Sequence, residues 1–513
     1  MSKTDATGRS GRVQALAWAG VAAVVVSVLV MVVVSAGGPN LAVPAVAGAA
    51  HPPWWHPLHL TATVTVVSLW IAMVIGCAGI LAGLAAVARG ARLPIRLILG
   101  FAFVAIAVLT VLPAAGSTDV LSYAVNGRMA AIGHSPYVMT PLRLEQIGDP
   151  IGVQAHVITT GLWKNTVSVY GPVATAAEWV AAKLGGTSLA HITFWLKLLE
   201  SACFVVVALV LDRMLRRDPA MRLRAHLLWT VNPLLLWEIV AAGHIDGLAA
   251  MFGLFAVIAV RQDLRPTGAF ISGVMVALAA GVKAEYVLIG LAVAWACRRS
   301  VRALIAAAAG FAVITVPAYV IAGTPAIKVL VKRGPGITSD TMYQLFWRPV
   351  LHYTSFNPFQ IPKHLELVAY LLFAAVAILA MLRFPDRNPQ LPVLAPALGL
   401  SLAWLFVTAF QRPWYDVMAL SLLALYYSTA LLDWTVLIRL LAAATVYVIA
   451  VPNPVQPHWL YDLGQFDGAW LTPVVFLAAT AVLVWVCVKG FPQQRDVDNV
   501  PGEVPGHRLP LAT

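Results

Sequence analysis

Long apolar runs constrain the fold of this chain more than any motif does. A helix needs about 20 apolar residues to cross a bilayer, and in lipid only helices and closed barrels satisfy every backbone polar group. Such runs recur from the amino terminus to about residue 489. Charged residues make up only 11% of the chain, whereas a soluble domain carries about 25%. The sequence therefore excludes a soluble enzyme or a disordered chain and predicts an all-α polytopic membrane protein.

The apolar runs predict about 12 to 14 transmembrane helices in one integral membrane domain, residues 1–489. The first run is longer than the apolar core of a cleaved signal peptide, so it is interpreted as a retained span. A short disordered cytoplasmic tail is predicted for 490–513. The candidate spans are 15–36, 60–88, 94–115, 190–211, 224–242, 247–260, 267–283, 285–297, 301–322, 365–383, 391–410, 415–432, 435–451 and 470–489.

The charge distribution orients these spans. The chain has 34 Lys and Arg against 22 Asp and Glu, and cytoplasmic loops of membrane proteins accumulate basic residues. Placing both termini in the cytoplasm puts 22 of the 34 basic residues, Arg439 among them, on the cytoplasmic side. The expected location is the plasma membrane, with multiple passes. Because topology accounts for the positive charge, no nucleic-acid partner is predicted.

Three long outer loops follow from this orientation, at about 116–189, 323–364 and 452–469. A moderately apolar stretch in the first, 170–185, contains Glu178 and Lys183. If it spanned the membrane, the arginine-rich run at 213–224 would face outside, so we predict a juxtamembrane helix along the outer surface. Its expected weak apolar face consists of Ala176, Ala177, Val180 and Ala181.

Ionisable residues collect at four places on the predicted outer side. Asp119 lies in GSTDVLSYAVNG, and His244 and Asp246 lie in AAGHIDG. Lys283 lies in GVKAEY, and Arg412 lies in FQRPWYD together with Asp416. Because these segments are far apart in the sequence but share one face of the membrane, they suggest one common site.

Each of these residues also has a plain structural interpretation. Asp119 could cap the helix that begins next to it, and His244 and Asp246 could belong to an ordinary tight turn. Lys283 could extend from a helix end to the lipid headgroups. Arg412 could bind lipid phosphate nonspecifically or stack on the neighbouring tryptophan.

Three further charged residues lie inside predicted spans. Lys197 and Glu200 are three residues apart, which favours a paired structural bridge. Glu238 is costly within a span unless it has a partner or faces a cavity, and its partner cannot be named from sequence.

The polar residues suit group transfer from a lipid-anchored phosphate donor. A departing phosphate needs cations, for which Lys283, Arg412 and His244 are candidates. An attacking sugar hydroxyl needs a base, and Asp119 is the best-placed carboxylate. One base with no enzyme nucleophile implies direct displacement with inversion at the anomeric carbon. The aromatic residues proposed to line a carbohydrate site are Tyr123, Tyr137 and Tyr170.

With these residues, the sequence resembles the actinobacterial polyprenyl-phosphomannose-dependent alpha-(1->6)-mannopyranosyltransferases, a family of membrane glycosyltransferases with the GT-C fold. The resemblance covers about 119–415, and the hydropathy pattern extends it over nearly the whole chain. The motifs that carry it, in order, are D-x-x-S-Y-x-x-x-G at Asp119–Gly127, G-x-x-P-Y at Gly133–Tyr137, Y-G-P at Tyr170–Pro172, N-P-L at Asn232–Leu234, H-x-D at His244–Asp246, V-K at Val282–Lys283 and P-W-Y at Pro413–Tyr415.

The resemblance implies a polyprenyl-phosphate-mannose donor, a glycan or glycolipid acceptor at the outer face, and an inverting mechanism. Asp119 matches the position of the family's catalytic Asp, and no metal or other cofactor is implied. We expect His244, Lys283 and Arg412 to hold the donor phosphate, Tyr123 and Tyr170 to line the sugar site, and Asp246 to orient a sugar.

Two alternatives stay open. The same fold could use another polyprenyl-phosphate sugar such as arabinofuranose, because no residue is tied to one sugar. A membrane transporter or lipid flippase is the alternative of another class. Transporters place polar and broken segments near the bilayer midplane and show internal repeats, whereas here the ionisable residues share one face and no repeat is evident.

Overall fold

A computed structural model gives the fold of the chain, and its regular elements are helical. The structure describes residues 3–46, 58–161, 163–331, 338, 341–346, 363–449 and 457–491. Within these ranges no β-strand forms, and the all-α polytopic membrane fold is confirmed. Most of the predicted second outer loop and nearly all of the predicted tail lie outside the described residues.

Six helices in these ranges are long and apolar enough to cross a membrane. Several begin where a hydroxyl side chain accepts a backbone N–H: Ser188 accepts from His191 and Ser300 from Ala303, which is the usual chemistry of a helix start. The six are Ser10–Ala36, Ala62–Val87, Leu189–Met214, Val301–Ala322, Ala430–Val448 and His458–Lys489.

Shorter apolar helices and one bent pair complete the set. The bent pair, Pro219–Ala241 and Asp246–Ala259, is angled by 117°. Every predicted run falls on one of these helices, although the helix expected at 415–432 ends at Leu425. The shorter helices are Ile95–Val111, Pro266–Val282, Ala284–Cys297, Leu367–Arg383, Leu394–Val407 and Pro413–Leu425.

The segment predicted as the first outer loop folds into a set of short helices beside the spans. Its helices are Asp119–Ala131, Pro141–Gln146, Pro150–Gln154, His156–Thr159 and Pro172–Gly185.

The last of these helices, Pro172–Gly185, corresponds to the predicted juxtamembrane helix but faces the protein differently. Its buried residues include Ala174, Glu178 and Ala181, while Val180 is exposed. Of the expected apolar face, only Ala181 is buried in the protein. The helix packs on Asp119–Ala131 at Gly127, where a side chain would collide with the backbone of Glu178.

Two features of the sequence interrupt the helix in the bent pair. Asn232 caps a new helical turn by accepting the N–H of Leu234, and Pro233 follows, which favours a fresh helix start. The chain then turns at Gly243, whose φ of +72° suits glycine. This turn places His244 beside Asp119 in the predicted first outer loop, where the predicted site residues gather.

Candidate active site

Asp119 is placed by the chain that leaves the helix Ile95–Val111. Lys197 Nζ donates to the carbonyl oxygens of Leu109 and Leu112, each at 2.6 Å, and so satisfies carbonyls at the end of that helix. Glu200 instead accepts the N–H of Leu248 at 3.0 Å. The predicted Lys197–Glu200 bridge is therefore wrong, since each side chain secures a different helix end.

The carboxylate of Asp119 faces the site and does not cap its helix. Among the described residues no backbone amide donates to it, and the N–H of Asp119 itself donates to Ser117 Oγ at 3.1 Å. The side chain keeps 25% of its exposure. Burial raises the pKa of Asp119 above its usual range. The charges of Lys283 and Arg412 oppose that rise.

His244 is fully buried beside Asp119, with both ring nitrogens directed by the fold. Nδ1 lies 2.5 Å from the backbone oxygen of Glu238, so Nδ1 carries the proton of that hydrogen bond. Nε2 lies 3.8 Å from Asp119 Oδ2. The ring stacks on Trp414, with centroids 3.7 Å apart. The unprotonated nitrogen of a neutral His244 therefore points at the candidate base.

Asp246 and Lys283 form a buried ion pair next to these residues. Lys283 Nζ lies 2.8 Å from Asp246 Oδ1, and the two side chains are 6% and 1% exposed. The ammonium also lies 4.2 Å from the ring centroid of Tyr415 and 5.8 Å from that of Tyr170. Carboxylate and aromatic faces together compensate the charge of the ammonium.

The Y-G-P motif brings Tyr170 to this ion pair. Gly171 donates its N–H to the oxygen of Val282 at 3.2 Å, and any side chain at 171 would collide with the oxygen of Gly281. The glycine thus permits a close backbone approach beside Lys283. The buried Tyr123 accepts a hydrogen bond from Tyr170 at 3.3 Å.

Arg412 is the second cation of the site and is only half-buried. Its guanidinium lies 4.8 Å from the ring of Phe410 and 5.8 Å from that of Tyr447. It also donates to the backbone oxygen of Gln411 at 3.2 Å. In the described parts of the chain it has no carboxylate partner. The predicted stacking partner, Trp414, stacks on His244 instead.

The structure brings the predicted site residues together from five parts of the chain. We call this set the polar site: Asp119, Tyr123, Tyr170, His244, Asp246, Lys283 and Arg412, with Trp414, Tyr415 and Tyr447 around them.

Tyr447 is the member that sequence reasoning missed. Its hydroxyl lies 3.4 Å from Ser117 Oγ, and its ring meets Trp414 edge-on with centroids 4.9 Å apart. It lies within an apolar run without a charged neighbour, so the sequence offers no signal for it.

Arg439 also departs from its prediction. It was assigned to the cytoplasmic side, yet it is fully buried within the helix Ala430–Ile449 and forms an ion pair with Asp416. Asp416 is therefore a partner of Arg439 rather than a surface residue.

Chemically, the polar site combines one accessible carboxylate, two cations and several aromatic faces. Among the described residues, no group of three or more His, Cys, Asp or Glu side chains could hold a metal ion. A base beside two cations suits a reaction in which a hydroxyl loses a proton while an anionic group departs.

Comparison with known protein families gives a match. The model of a family described as alpha-(1->6)-mannopyranosyltransferase, N-terminal domain, matches residues 17–299, more than half of the chain. No curated protein matches the chain. The matched range contains every predicted site residue except Arg412.

Proposed function

The chain belongs to the alpha-(1->6)-mannopyranosyltransferase family, and from this premise we propose that it moves mannose from polyprenyl-phosphate-mannose to a lipid-linked or cell-envelope glycan. Family membership makes the protein a membrane glycosyltransferase with a sugar donor and a glycan acceptor. The observation that carries the finer proposal is the position of Asp119, whose partly exposed carboxylate lies 3.8 Å from Nε2 of the buried His244. The charges of Lys283 and Arg412 lower the pKa of this carboxyl.

Asp119 acts as the general base in this proposal. The acceptor oxygen forms a bond to the anomeric carbon while the bond from that carbon to the phosphate oxygen breaks. The electron pair of the broken bond leaves with the phosphate, and the acceptor proton moves to the Asp119 carboxylate. Because no enzyme nucleophile takes part, the displacement is single and inverts the anomeric carbon.

The departing phosphate is held by positive charge. Arg412 has hydrogen-bond donors without a carboxylate partner among the described residues, and a guanidinium can bind phosphate with two parallel hydrogen bonds. Lys283, whose ammonium lies 4.2 Å from the ring centroid of Tyr415, adds a second positive charge to the site. Both cations stabilise charge that develops on the phosphate as the bond breaks.

The sequence predicts His244 as a phosphate ligand, but in this proposal His244 acts on Asp119 instead. Its Nδ1 is occupied by the Glu238 carbonyl and its Nε2 faces Asp119. Once Asp119 has taken the acceptor proton, the neutral acid can donate to Nε2. This hydrogen bond favours the protonated carboxyl, which makes Asp119 a stronger base for the acceptor hydroxyl.

Tyr170 and Asp246 complete the proposed sugar site. Tyr170 presents a half-buried aromatic face beside Lys283, and Tyr123 supports it from behind. Asp246 is fixed by Lys283 and is proposed to orient a sugar.

The proposed location is the plasma membrane, with a GT-C fold and the polar site at the outer face. With Arg439 buried, 21 basic residues remain on the proposed cytoplasmic side, which still supports cytoplasmic termini. Labelling by a membrane-impermeant maleimide on intact cells tests this. Ser135 and Ala220 are both exposed on the protein surface. The Ser135→Cys variant, on the proposed outer side, should therefore react, and Ala220→Cys, on the proposed cytoplasmic side, should not. The reverse pattern would overturn the orientation.

The transfer reaction is tested in membranes with radiolabelled polyprenyl-phosphate-mannose and a mannoside acceptor. We expect Asp119→Asn to lower kcat by about 100- to 10,000-fold, the usual contribution of a general base. Asp149→Asn is the matched control, because Asp149 lies in the same loop, pairs with Arg128 and caps a helix that Asn can also cap.

Full activity of Asp119→Asn would refute the assignment of the base. Transfer from polyprenyl-phosphate-arabinofuranose but not from the mannose donor would agree with the proposed mechanism but would change the proposed donor sugar. If no polyprenyl donor yields product, the proposed donor class fails.

A further inference from the structure

A buried arginine lies behind the segment that carries Arg412. Arg439 is within the helix Ala430–Ile449, where a charged side chain is costly unless it is compensated. Its side chain is fully buried and forms an ion pair with Asp416, which is fully buried too. Its guanidinium also lies 4.3 Å from the ring of Phe476.

Two partners of Arg439, Gln411 and Asp416, lie on either side of the segment that carries Arg412. Besides pairing with Asp416, Arg439 donates from Nη2 to Gln411 Oε1 at 3.0 Å and to the backbone oxygen of Leu405 at 2.9 Å. Between Gln411 and Asp416 lie only the four residues 412–415. A single guanidinium thus joins the two ends of the segment, which we call the 412–415 turn.

Three of the four site residues of the C-terminal half are in the 412–415 turn, and the fourth, Tyr447, is on the helix Ala430–Ile449. Arg412 is extended and Pro413–Asp416 forms a short 3-10 turn, which leaves the three side chains directed to different neighbours. Arg412 lies near Tyr447, Trp414 stacks on His244, and Tyr415 covers Lys283. Movement of either end of the turn would therefore displace all three.

The same helix takes part in a second buried ion pair, in which the helix provides the carboxylate and the arginine comes from another segment. Asp433 of Ala430–Ile449 pairs with Arg224, whose Nη2 lies 2.5 Å from Asp433 Oδ1. Arg224 also donates to the backbone oxygens of Tyr426 and Leu423. This pair has the same chemistry, one carboxylate and backbone carbonyls, but none of its partners belongs to the polar site.

We propose that Arg439, with Asp416 and Gln411, is a positioning residue that fixes the 412–415 turn for binding of the donor phosphate by Arg412. The proposal rests on the proposed function only in naming the phosphate as part of the donor. Arg439 touches neither substrate nor the reacting atoms. The planar fork of the arginine presents Nη1 to Asp416 and Nη2 to Gln411 and Leu405. A lysine would have a single nitrogen for all three partners.

The experiment compares Arg439→Lys with Arg224→Lys, the same change in the two pairs on one helix. Both variants keep a positive charge beside their carboxylate, so both are expected to fold with a similar loss of thermal stability. The readouts are kcat, the KM for polyprenyl-phosphate-mannose, and the dissociation constant for farnesyl phosphate, a short probe that carries the phosphate alone.

We expect Arg439→Lys to raise the donor KM and the farnesyl phosphate dissociation constant about tenfold, the effect of one misaligned charge-assisted hydrogen bond. Its kcat should change less, and Arg224→Lys should leave both binding values unchanged. Gln411→Leu, which releases one end of the turn and leaves the ion pair, should give a smaller shift in the same direction.

Equal binding constants in Arg439→Lys and Arg224→Lys would overturn the proposal, and so would a loss confined to stability. The phosphate probe separates this outcome from failure of the proposed function. If farnesyl phosphate binding weakens in Arg439→Lys but no mannose is transferred by the wild type, the positioning role stands and the donor assignment fails.

Discussion

Lys283 and Arg412 are the two cations of the polar site, and their surroundings differ. Lys283 is buried, with its ammonium 2.8 Å from Asp246 Oδ1 and 4.2 Å from the Tyr415 ring. Arg412 is half-buried, and within the described residues it contacts rings and a backbone carbonyl but no carboxylate. The charge of Lys283 is thus balanced before any ligand arrives, whereas that of Arg412 is available to an anion.

The difference gives Lys283 a structural task besides the charge that it contributes to the site, whereas Arg412 has the binding task alone. Lys283 and Asp246 hold two segments of the fold together, and removal of either leaves a buried charge without its partner. Arg412 supports little of the fold and is placed to bind the phosphate. Substitutions at the pair should therefore be visible in stability first, and substitutions at Arg412 in substrate binding first.

The largest expected effect is the loss of stability when the ion pair is broken. Asp246→Asn or Lys283→Met alone should destabilise the protein by about 3–5 kcal/mol, because each leaves an uncompensated buried charge. The double variant should recover most of that loss and remain inactive. Thermal unfolding in detergent, with transferase activity measured in parallel, checks both points. Two single variants as stable as the wild type would remove the contrast with Arg412.

Arg412→Ala should give the next largest effect, and it should be confined to binding. Loss of charge-assisted hydrogen bonds to phosphate, worth about 1.5–3 kcal/mol, predicts a donor KM about 10- to 100-fold higher with an unchanged melting temperature. Arg412→Lys should recover part of the affinity, since lysine keeps the charge but lacks the bidentate geometry. A large loss of stability in Arg412→Ala would show that this cation is structural as well.

The sequence predicted much of this arrangement because the polar motifs lie at helix ends. Asp119, His244 and Lys283 each adjoin a span boundary, and alternate spans return to the same face of a membrane, so their convergence could be expected. The side-chain partners could not. Helical spacing favoured a Lys197–Glu200 pair, whereas each of the two secures the end of another helix.

The buried location of Arg439 could not be predicted from the sequence either. A lone arginine within an apolar run looks like a topological charge, because its partners Asp416 and Gln411 belong to a different segment of the chain. Tyr447 enters the site only because its helix packs against the 412–415 turn. Side-chain direction depends on tertiary contacts, which hydropathy and motif spacing do not contain.

Gly171→Ala tests the backbone approach that places Tyr170 over Lys283. The added methyl group would collide with the backbone oxygen of Gly281, so the segment that carries Tyr170 must move away from the ion pair. Such overpacking costs about 1–3 kcal/mol, and we expect lower stability together with lower kcat/KM. Gly100→Ala is the control, because a side chain there meets open space. Equal behaviour of the two variants would contradict the close-approach explanation of the Y-G-P motif.

His244 joins the two halves of the site, and its predicted effect is the smallest and the most specific. Asp119 must be ionised to act as a base, so kcat/KM should rise with pH through the raised pKa of Asp119. Nε2 of His244 accepts from the protonated carboxyl only, which raises that pKa further. His244→Asn can still donate to the Glu238 carbonyl but lacks a group at Nε2.

We therefore expect His244→Asn to lower the pKa of Asp119 and to move the acidic limb of the pH profile to lower pH. The shift should be about one pH unit, equal to about 1.4 kcal/mol. His244→Gln can place an acceptor oxygen near the position of Nε2, so its acidic limb should stay close to that of the wild type. A limb that stays in place in His244→Asn, or moves to higher pH, would show that His244 acts on the donor side, through Trp414, rather than on the base.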